Sequence, residues 1–475
     1  MESSGVRFGT SGARGLVADM SPEVCMVYTL AFLRVVSAAP GSRVALGIDL
    51  RPSSPAIAAA CAAAIRHAGL EVAYCGALPT PALAFYAQEE GIPAIMITGS
   101  HIPFDRNGIK FYRATGEITK ADEAGIAAAT VELPADRALP ALPQPDPAAR
   151  RSYLDRYLRF FPANCLAGMR LGFYQHSSVA RDLLGEILES LGAEVVALGR
   201  TDEFVPIDTE AVAEADIRQA RQWATDSAFD GLFSTDGDAD RPLIGDERGE
   251  WLRGDIAGIL CAQYLQASAV VTPVSSNTAL EKCGSFGRVL RTRIGSPYVI
   301  EGMAQLLAAG EKNVVGFEAN GGFLVGSSIS KGGAMLAPLM TRDAVLPILC
   351  LLSMARERGC KVSALATSLP ARYTASDRLQ SFPTETSRRI LAGLAASPDA
   401  VDALLRGLCG KAEGFDQTDG LRITLAGEEI VHFRPSGNAP ELRCYAEAAS
   451  PERAGFLVQE CLRRLKAGLD GAVTP

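Results

Sequence analysis

The strongest constraint on the fold is a rhythm of strand and helix that restarts twice along the chain. "RVALGID" (43–49) reads as a buried strand and "SPAIAAACAAAIRHAG" (54–69) as an alanine-rich helix stopped by Gly69. "EVAYCG" reads as a strand, "TPALAFYAQEEG" as a helix, and "PAIMITGS" as a strand. The stretch 134–149, "PADRALPALPQPDPAA", holds five prolines in sixteen residues and reads as a linker. The rhythm then resumes with strand "RLGFYQ", helix "SVARDLLGEILESLG", strand "AEVVALG", a long helix over 209–227 and strand "GLFSTD". After Trp251 it resumes again, with a helix over 254–266, strand "AVVTPVS", helix "NTALEKCG", strand "VLRTRIG", helix "PYVIEGMAQLLAAG" and strand "NVVGFEA". This alternation predicts α/β layers with mostly parallel, buried strands. The C-terminal part differs: "GLRITLAGEEIVHFRP" reads as a hairpin, "LRCYAEA" as a strand and 451–467 as an amphipathic helix. The expected fold class is therefore α/β. Three similar mixed α/β units cover 1–140, 150–248 and 249–366, and a smaller α+β domain covers 372–475, after a hinge at "ATSLPAR" (366–372).

With 475 residues the chain is too long for one core. A net charge of −8 argues against a nucleic-acid partner. The longest apolar candidate for a membrane span, "AVLPILCLLSMARERG", is broken by Pro347 and soon becomes charged, so no membrane attachment is expected. "MESSGVRFG" lacks the apolar core of a signal peptide, and the expected location is cytoplasmic. The eleven cysteines include no CxxC and read as buried free thiols, and the four histidines have no zinc-type spacing. Nothing in the sequence reports the oligomeric state.

In open α/β sheets ligands bind at the carboxyl ends of strands, and three polar motifs fall there. "STDGDADR" (234–241) places Asp236, Asp238 and Asp240 at alternate positions in a glycine-containing turn, a pattern that can converge three oxygens on one hard divalent cation. An EF-hand is excluded because Arg241 holds the position that needs glycine, and a haloacid-dehalogenase nucleophile is disfavoured because Asp240 holds the fifth place of its motif. "TGSHIPFDRNGIKFY" (98–112) supplies the hydroxyl of Ser100, a proton carrier at His101 and cations at Arg106 and Lys110. No GxSxG elbow surrounds Ser100, which argues against an acyl-transfer hydrolase. "GFEANGGF" (316–323) offers Glu318 as an acceptor for two neighbouring sugar hydroxyls. Further on, "RPSGNAPELR" (434–443) offers backbone N–H groups, Ser436 and Asn438 to an anion, with Arg434 and Arg443 able to fork onto phosphate. Taken singly, each motif also reads as an ordinary turn or exposed loop.

Together these motifs resemble the α-D-phosphohexomutases, the phosphoglucomutase/phosphomannomutase family, over essentially the whole chain. "FGTSGARG" (8–15) is similar to the family's N-terminal loop, "TGSHIPFDRNGIKF" to its phosphoserine loop and "DGDADR" to its metal loop; "FEANGG" and "RPSGNAP" match its sugar and phosphate loops more loosely. The resemblance implies four domains around a central cleft, each giving one loop. It implies conversion of a hexose 6-phosphate to its 1-phosphate through a phosphoserine at Ser100 and a hexose 1,6-bisphosphate that serves as intermediate and activator. Mg²⁺ would be held by the phosphorylated Ser100 with Asp236, Asp238 and Asp240. Arg14, His101 and Lys110 would act near the reacting phosphate, with Lys110 the favoured proton acceptor. Arg241, Arg293, Glu318, Asn320, Arg434, Ser436, Gly437, Asn438 and Arg443 would bind substrate. Ile102 stands where the family has Asn, Asn320 and Gly322 where it often has Ser and His, and Asn438 where it often has Thr. The last three bear on the sugar. The resemblance implies a phosphomannomutase with phosphoglucomutase activity; the alternatives are a phosphoglucosamine mutase and a sugar-phosphate-binding protein without turnover.

Overall fold

A computed structural model describes residues 4–9, 12–39, 41–135, 138–436 and 440–470. The chain divides into two compact units, one formed by Met1–Val271 with Gly295–Ala366, the other by Thr272–Ile294 with Thr367–Pro475.

Among the described residues the first unit carries strands of three larger sheets and the two-stranded sheet of Ile329–Lys331 and Ala334–Leu336. In the first, the strands run in the order Arg7–Phe8, Ala13–Leu16, Arg106–Arg113, Ala94–Ile97, Arg43–Ile48, Glu71–Ala77, with Gly116–Glu117 added to Arg106–Arg113. The helices Pro22–Val35 and Ser54–His67 contribute to its core, where Phe32 and Phe111 meet at 4.8 Å between ring centroids. Burying an aromatic or aliphatic side chain of this size stabilises by about 1.5–3 kcal/mol. The second sheet has the order Pro242–Gly245, Gly231–Thr235, Arg170–Tyr174, Glu194–Leu198, with Phe173 stacked on Phe233 at 4.6 Å. The third includes Val314–Phe317, Phe323–Val325 and Leu339–Asp343.

These sheets combine parallel and antiparallel pairs, and the mixing follows one rule. Ala94–Ile97, Gly231–Thr235 and Val314–Phe317 each have a parallel neighbour on one side. Each then turns directly into an antiparallel neighbour, respectively Arg106–Arg113, Pro242–Gly245 and Phe323–Val325. The three polar motifs occupy those three turns. A loop of this kind is anchored at both ends by ladder hydrogen bonds of one sheet, so its backbone has little freedom.

Two expected helices are shorter than their sequence pattern. The first runs Leu183–Ser190, not from 178. The second runs Glu214–Asp226, not from 209, because the Asp208 carboxylate accepts from the N–H groups of Glu210 and Ala211 and turns the chain before the helix begins. Residues 200–213 are thus a loop. The helix Ala148–Phe160 presents Tyr153 and Tyr157, whose hydroxyls donate to Asp343 at the end of the third sheet's last strand.

The second unit carries a wholly antiparallel sheet in the order Tyr373–Leu379, Leu442–Ala448, Ile430–Pro435, Leu421–Leu425, Ala412–Asp416, packed with the helices Thr384–Ala396, Pro398–Leu405 and Pro451–Asp470. All eleven cysteines are free thiols. Among the described residues no helix is long and apolar enough to cross a membrane.

Candidate active site

The serine loop leaves the strand Ala94–Ile97 with Ser100 at φ +52°, a left-handed conformation that an L-residue adopts only when its surroundings enforce it. The Ser100 N–H donates to Thr98 Oγ1 at 2.8 Å, and Ser100 Oγ donates to Asp236 Oδ2 at 2.5 Å. Asp236, Asp238 and Asp240 lie together in the turn after Gly231–Thr235, are at most 1% exposed, and offer oxygens within 4.8 Å of one another. The Asp236 N–H donates to the Arg241 carbonyl at 3.1 Å, closing the turn, and Ala239 takes φ +57° within it.

Three like charges out of water repel. Burial, then Asp238 and Asp240, push the Asp236 carboxyl well above the usual range. Burial acts the same way on Asp240, but Arg342, Lys110 and Arg241 outweigh it and hold this carboxyl below the usual range. Lys110 Nζ donates to Asp238 Oδ2 and Asp240 Oδ2, both at 2.7 Å, and Thr80 Oγ1 donates to Asp238 Oδ2 at 2.6 Å. Asp238 Oδ1 and Asp240 Oδ1 are buried and accept no hydrogen bond. This leaves an all-oxygen donor set with open lone pairs, which suits a hard divalent cation.

His101 stands beside the serine. Arg241 Nη1 donates to His101 Nδ1 at 3.0 Å, and Ser100 Oγ lies 3.3 Å from the same nitrogen. The Arg241 charge, with burial, lowers the imidazole to about 2, so the ring is neutral. Arg14 is also in this neighbourhood. Burial, then Arg241 and Arg342, lower it to about 10, and its Nε and Nη2 are buried without hydrogen-bond partners. These open donors suit an anion. Lys110 differs from its expected role as proton acceptor: burial disfavours its charge, but Asp238 and Asp240 hold it above the usual lysine value, and in this geometry it is an ammonium donor.

Glu318 sits in the third turn, 3% exposed. Its Oε2 accepts from Arg342 Nη1 at 2.8 Å, while Arg342 Nη2 donates to Asp240 Oδ2 at 2.8 Å. One buried guanidinium therefore joins the glutamate turn to the aspartate turn. Asn320 uses its Oδ1 to accept the Gly322 N–H at 3.0 Å, and its carbonyl accepts from Thr209 Oγ1 at 2.9 Å.

Four family models match this chain. Those for the phosphoglucomutase/phosphomannomutase alpha/beta/alpha domains I, II and III match residues 5–135, 151–249 and 253–373, and that for the C-terminal domain matches 384–463. A phosphomannomutase of Salmonella muenchen is 49% identical over 99% of this chain and 97% of its own length. The chain belongs to the phosphoglucomutase/phosphomannomutase family. Another relative, a phosphomannomutase of Sinorhizobium fredii, is 46% identical over 98% of this chain and all of its own. A phosphoglucosamine mutase of Desulforudis audaxviator is 29% identical over 97% of both chains. The crystal structure of a family protein from Burkholderia thailandensis shares the fold, with a TM-score of 0.75 at 21% identity, covering 96% of this chain and 97% of that one.

The first unit thus brings together Arg14, Ser100, His101, Lys110, the three aspartates, Arg241 and, through Arg342, Glu318. Arg293, Arg434, Ser436 and Arg443 belong to the second unit. There Arg434 Nε pairs with Asp419 Oδ2 at 3.0 Å, and Arg293 Nε donates to the Thr418 carbonyl at 3.2 Å, so both reach the same turn. The Ser436 N–H donates to the Glu441 carbonyl at 2.8 Å, and Arg443 Nη2 lies 3.6 Å from Glu441 Oε2. Gly437 and Asn438 lie outside the described residues. Sequence reasoning missed Arg342, Asp208, Thr80 and Arg51. The signal for Arg342 is a charged pair inside the apolar run "LMTRDAVLP".

Proposed function

We propose that the protein is a phosphomannomutase that also accepts glucose phosphates, with Ser100 as the phosphoryl carrier and Mg²⁺ as the cation. The observation that carries this reading is the 2.5 Å contact between Ser100 Oγ and Asp236 within the buried carboxylate trio. A binding protein without turnover has no use for a hydroxyl placed on a metal-type site. For the sugar, the support is the 49% and 46% identity to phosphomannomutases against 29% for a phosphoglucosamine mutase.

Phospho-Ser100 gives its phosphoryl group to the free hydroxyl of the bound hexose phosphate: the bond from Ser100 Oγ to phosphorus breaks as the sugar oxygen bonds to it. The resulting bisphosphate reorients and returns its other phosphoryl group to Ser100. Asp236, Asp238 and Asp240, with the phosphate on Ser100, would hold Mg²⁺, which when bound neutralises charge on the transferring group and on the leaving Ser100 oxygen. Arg14 offers its unpartnered guanidinium nitrogens to that group. His101, neutral, and Lys110, an ammonium, are the proton-handling groups: in the resting geometry the first accepts and the second donates. Glu318, fixed by Arg342, faces the sugar hydroxyls with its remaining oxygen. Arg293, Arg434, Ser436 and Arg443 of the second unit are donors that suit a phosphate.

The test has two parts. Intact mass should reveal one phosphate, mapped to Ser100, and turnover should vanish on exhaustive chelation and return with Mg²⁺. kcat/KM for mannose, glucose and glucosamine 1-phosphates should rank in that order. A clear preference for glucosamine 1-phosphate overturns the sugar assignment, while an unphosphorylated, inactive protein overturns the reaction.

A further inference from the structure

Arg51 belongs to none of the motifs above, yet it is the side chain on which the serine loop is wound. It follows the strand Arg43–Ile48 and is 1% exposed. Its Nη1 donates to the carbonyls of Pro103 at 2.7 Å and Arg106 at 2.9 Å, and its Nη2 to those of Ser100 at 2.9 Å and Ile102 at 2.5 Å. Its Nε lies 3.3 Å from Asp49 Oδ2. Asp49 is fixed in turn by Ser54 Oγ at 2.5 Å and by the N–H groups of Arg51 at 3.0 Å and Gly99 at 3.3 Å. One ion pair thus grips the loop from Gly99 to Arg106.

Four carbonyl oxygens converging on one point repel unless a cation with several fixed donors stands between them. Guanidinium has five donors in a rigid plane, whereas an ammonium has three on one atom. The fit allows nothing else nearby: a Cβ on Gly99 would stand 2.5 Å from the guanidinium carbon of Arg51. The left-handed turn at Ser100, which costs about 1–2 kcal/mol per L-residue, sits at one of the four carbonyls.

The guanidinium is covered on one face. Its carbon lies 3.9 Å from the centroid of the Phe204 ring, in the loop 200–213. The same ring is 3.4 Å from where a Cβ on Gly237 would be, so it also lies against the aspartate turn. Phe204 therefore touches both the clamp under Ser100 and the turn that carries Asp236.

We propose that Arg51 is the positioning residue for phosphoryl transfer: it sets the direction of Ser100 Oγ toward Asp236, and Phe204 keeps the clamp in register with the aspartate turn. The proposal rests on Ser100 being the phosphoryl carrier. A loop displaced by about 1 Å loses on the order of 100-fold in the chemical step while substrate binding is largely kept.

The test compares wild type, Arg51→Lys and Phe204→Leu in mutase kinetics and phosphoserine mass analysis, with folding checked by circular dichroism. Arg51→Lys is expected to lower kcat about 100-fold per folded molecule with KM changed less than about threefold, and to shorten the lifetime of phospho-Ser100 in water. Phe204→Leu, which keeps an apolar cover but removes the π face, is expected to lower kcat about 3–10-fold. Folded Arg51→Lys with wild-type kcat overturns the proposal, as does a loss that tracks only the unfolded fraction. If Arg51→Lys does not fold, Phe204→Leu decides, and unchanged kcat overturns the proposal. A wild type without turnover or phosphoserine defeats the mutase reading instead, an outcome distinct from a working wild type matched by both variants.

Discussion

The charged groups around the aspartate turn of the first unit and those of the "RPSGNAPELR" motif in the second are held in opposite ways. In the first, Asp236, Asp238, Asp240, Lys110 and Arg342 are each at most 2% exposed, and the cations bond to carboxylates at 2.7–2.8 Å. In the second, the side chains of Arg434 and Asp419 are 16% and 19% exposed and those of Arg443 and Glu441 35% and 15%. A buried network is electrostatically strong and tolerates no missing member, while partly solvated pairs are weak and exchange partners at little cost. The difference matches the two proposed roles: fixed dipoles suit charge that changes during phosphoryl transfer, and partly solvated donors suit an anion that must be released.

The largest test of this contrast is Ser100→Ala. It should lower turnover by about 10⁴-fold or more while leaving circular dichroism unchanged and removing one phosphate from the intact mass. Persistence of turnover would end the assignment of the first unit as the reacting one. Next is Asp240→Asn, which leaves Lys110, Arg342 and Arg241 short of a counter-charge. A loss of about 3–5 kcal/mol in urea unfolding is expected, and a loss below about 1 kcal/mol would erase the distinction from a solvated pair.

A third test addresses a feature that the two units share. Burial lowers His176 in the first and His432 in the second to about 4. The unfolded chain takes up a proton at each as pH falls through about 6.5, and the folded chain resists until about 4. The stabilisation is therefore full above pH 6.5 and is lost on acidification, by about 2 kcal/mol per histidine at pH 5. His176→Gln and His432→Gln should each reduce the stability difference between pH 7 and pH 5 by about that amount. An effect in one unit only would break the symmetry. The smallest effect is expected for Arg434→Ala, a rise in KM of about tenfold with kcat within threefold and stability within about 0.5 kcal/mol of wild type. A matching fall in kcat would place Arg434 with the rigid groups.

The turns carrying Ser100, the aspartates and Glu318 were legible in the sequence because each follows a short, wholly buried strand, and polar residues after such a run stand out. The antiparallel direction of the strand after each turn was not, because that strand is as buried as a parallel one and only its partner reveals its direction. Arg51 and Arg342 were missed for a related reason: the carbonyls that Arg51 binds lie 49–55 residues away and the carboxylates that Arg342 binds lie 24–102 away, so no local spacing records those bonds. The stretch from 209 was read as helix. The pattern there is helical, but a side-chain cap on the backbone competes with the first turn and wins.

Between the helix ending at Ala128 and the one beginning at Ala148 the described chain forms no regular element. Every bond that joins Ser100, Lys110 and Thr80 to the three aspartates spans that stretch. The candidate site is thus the seam between two portions of one polypeptide. A chain severed within the proline-rich stretch would have to rebuild the seam before it could transfer phosphate, and recovered turnover would then report how faithfully the fragments had reunited.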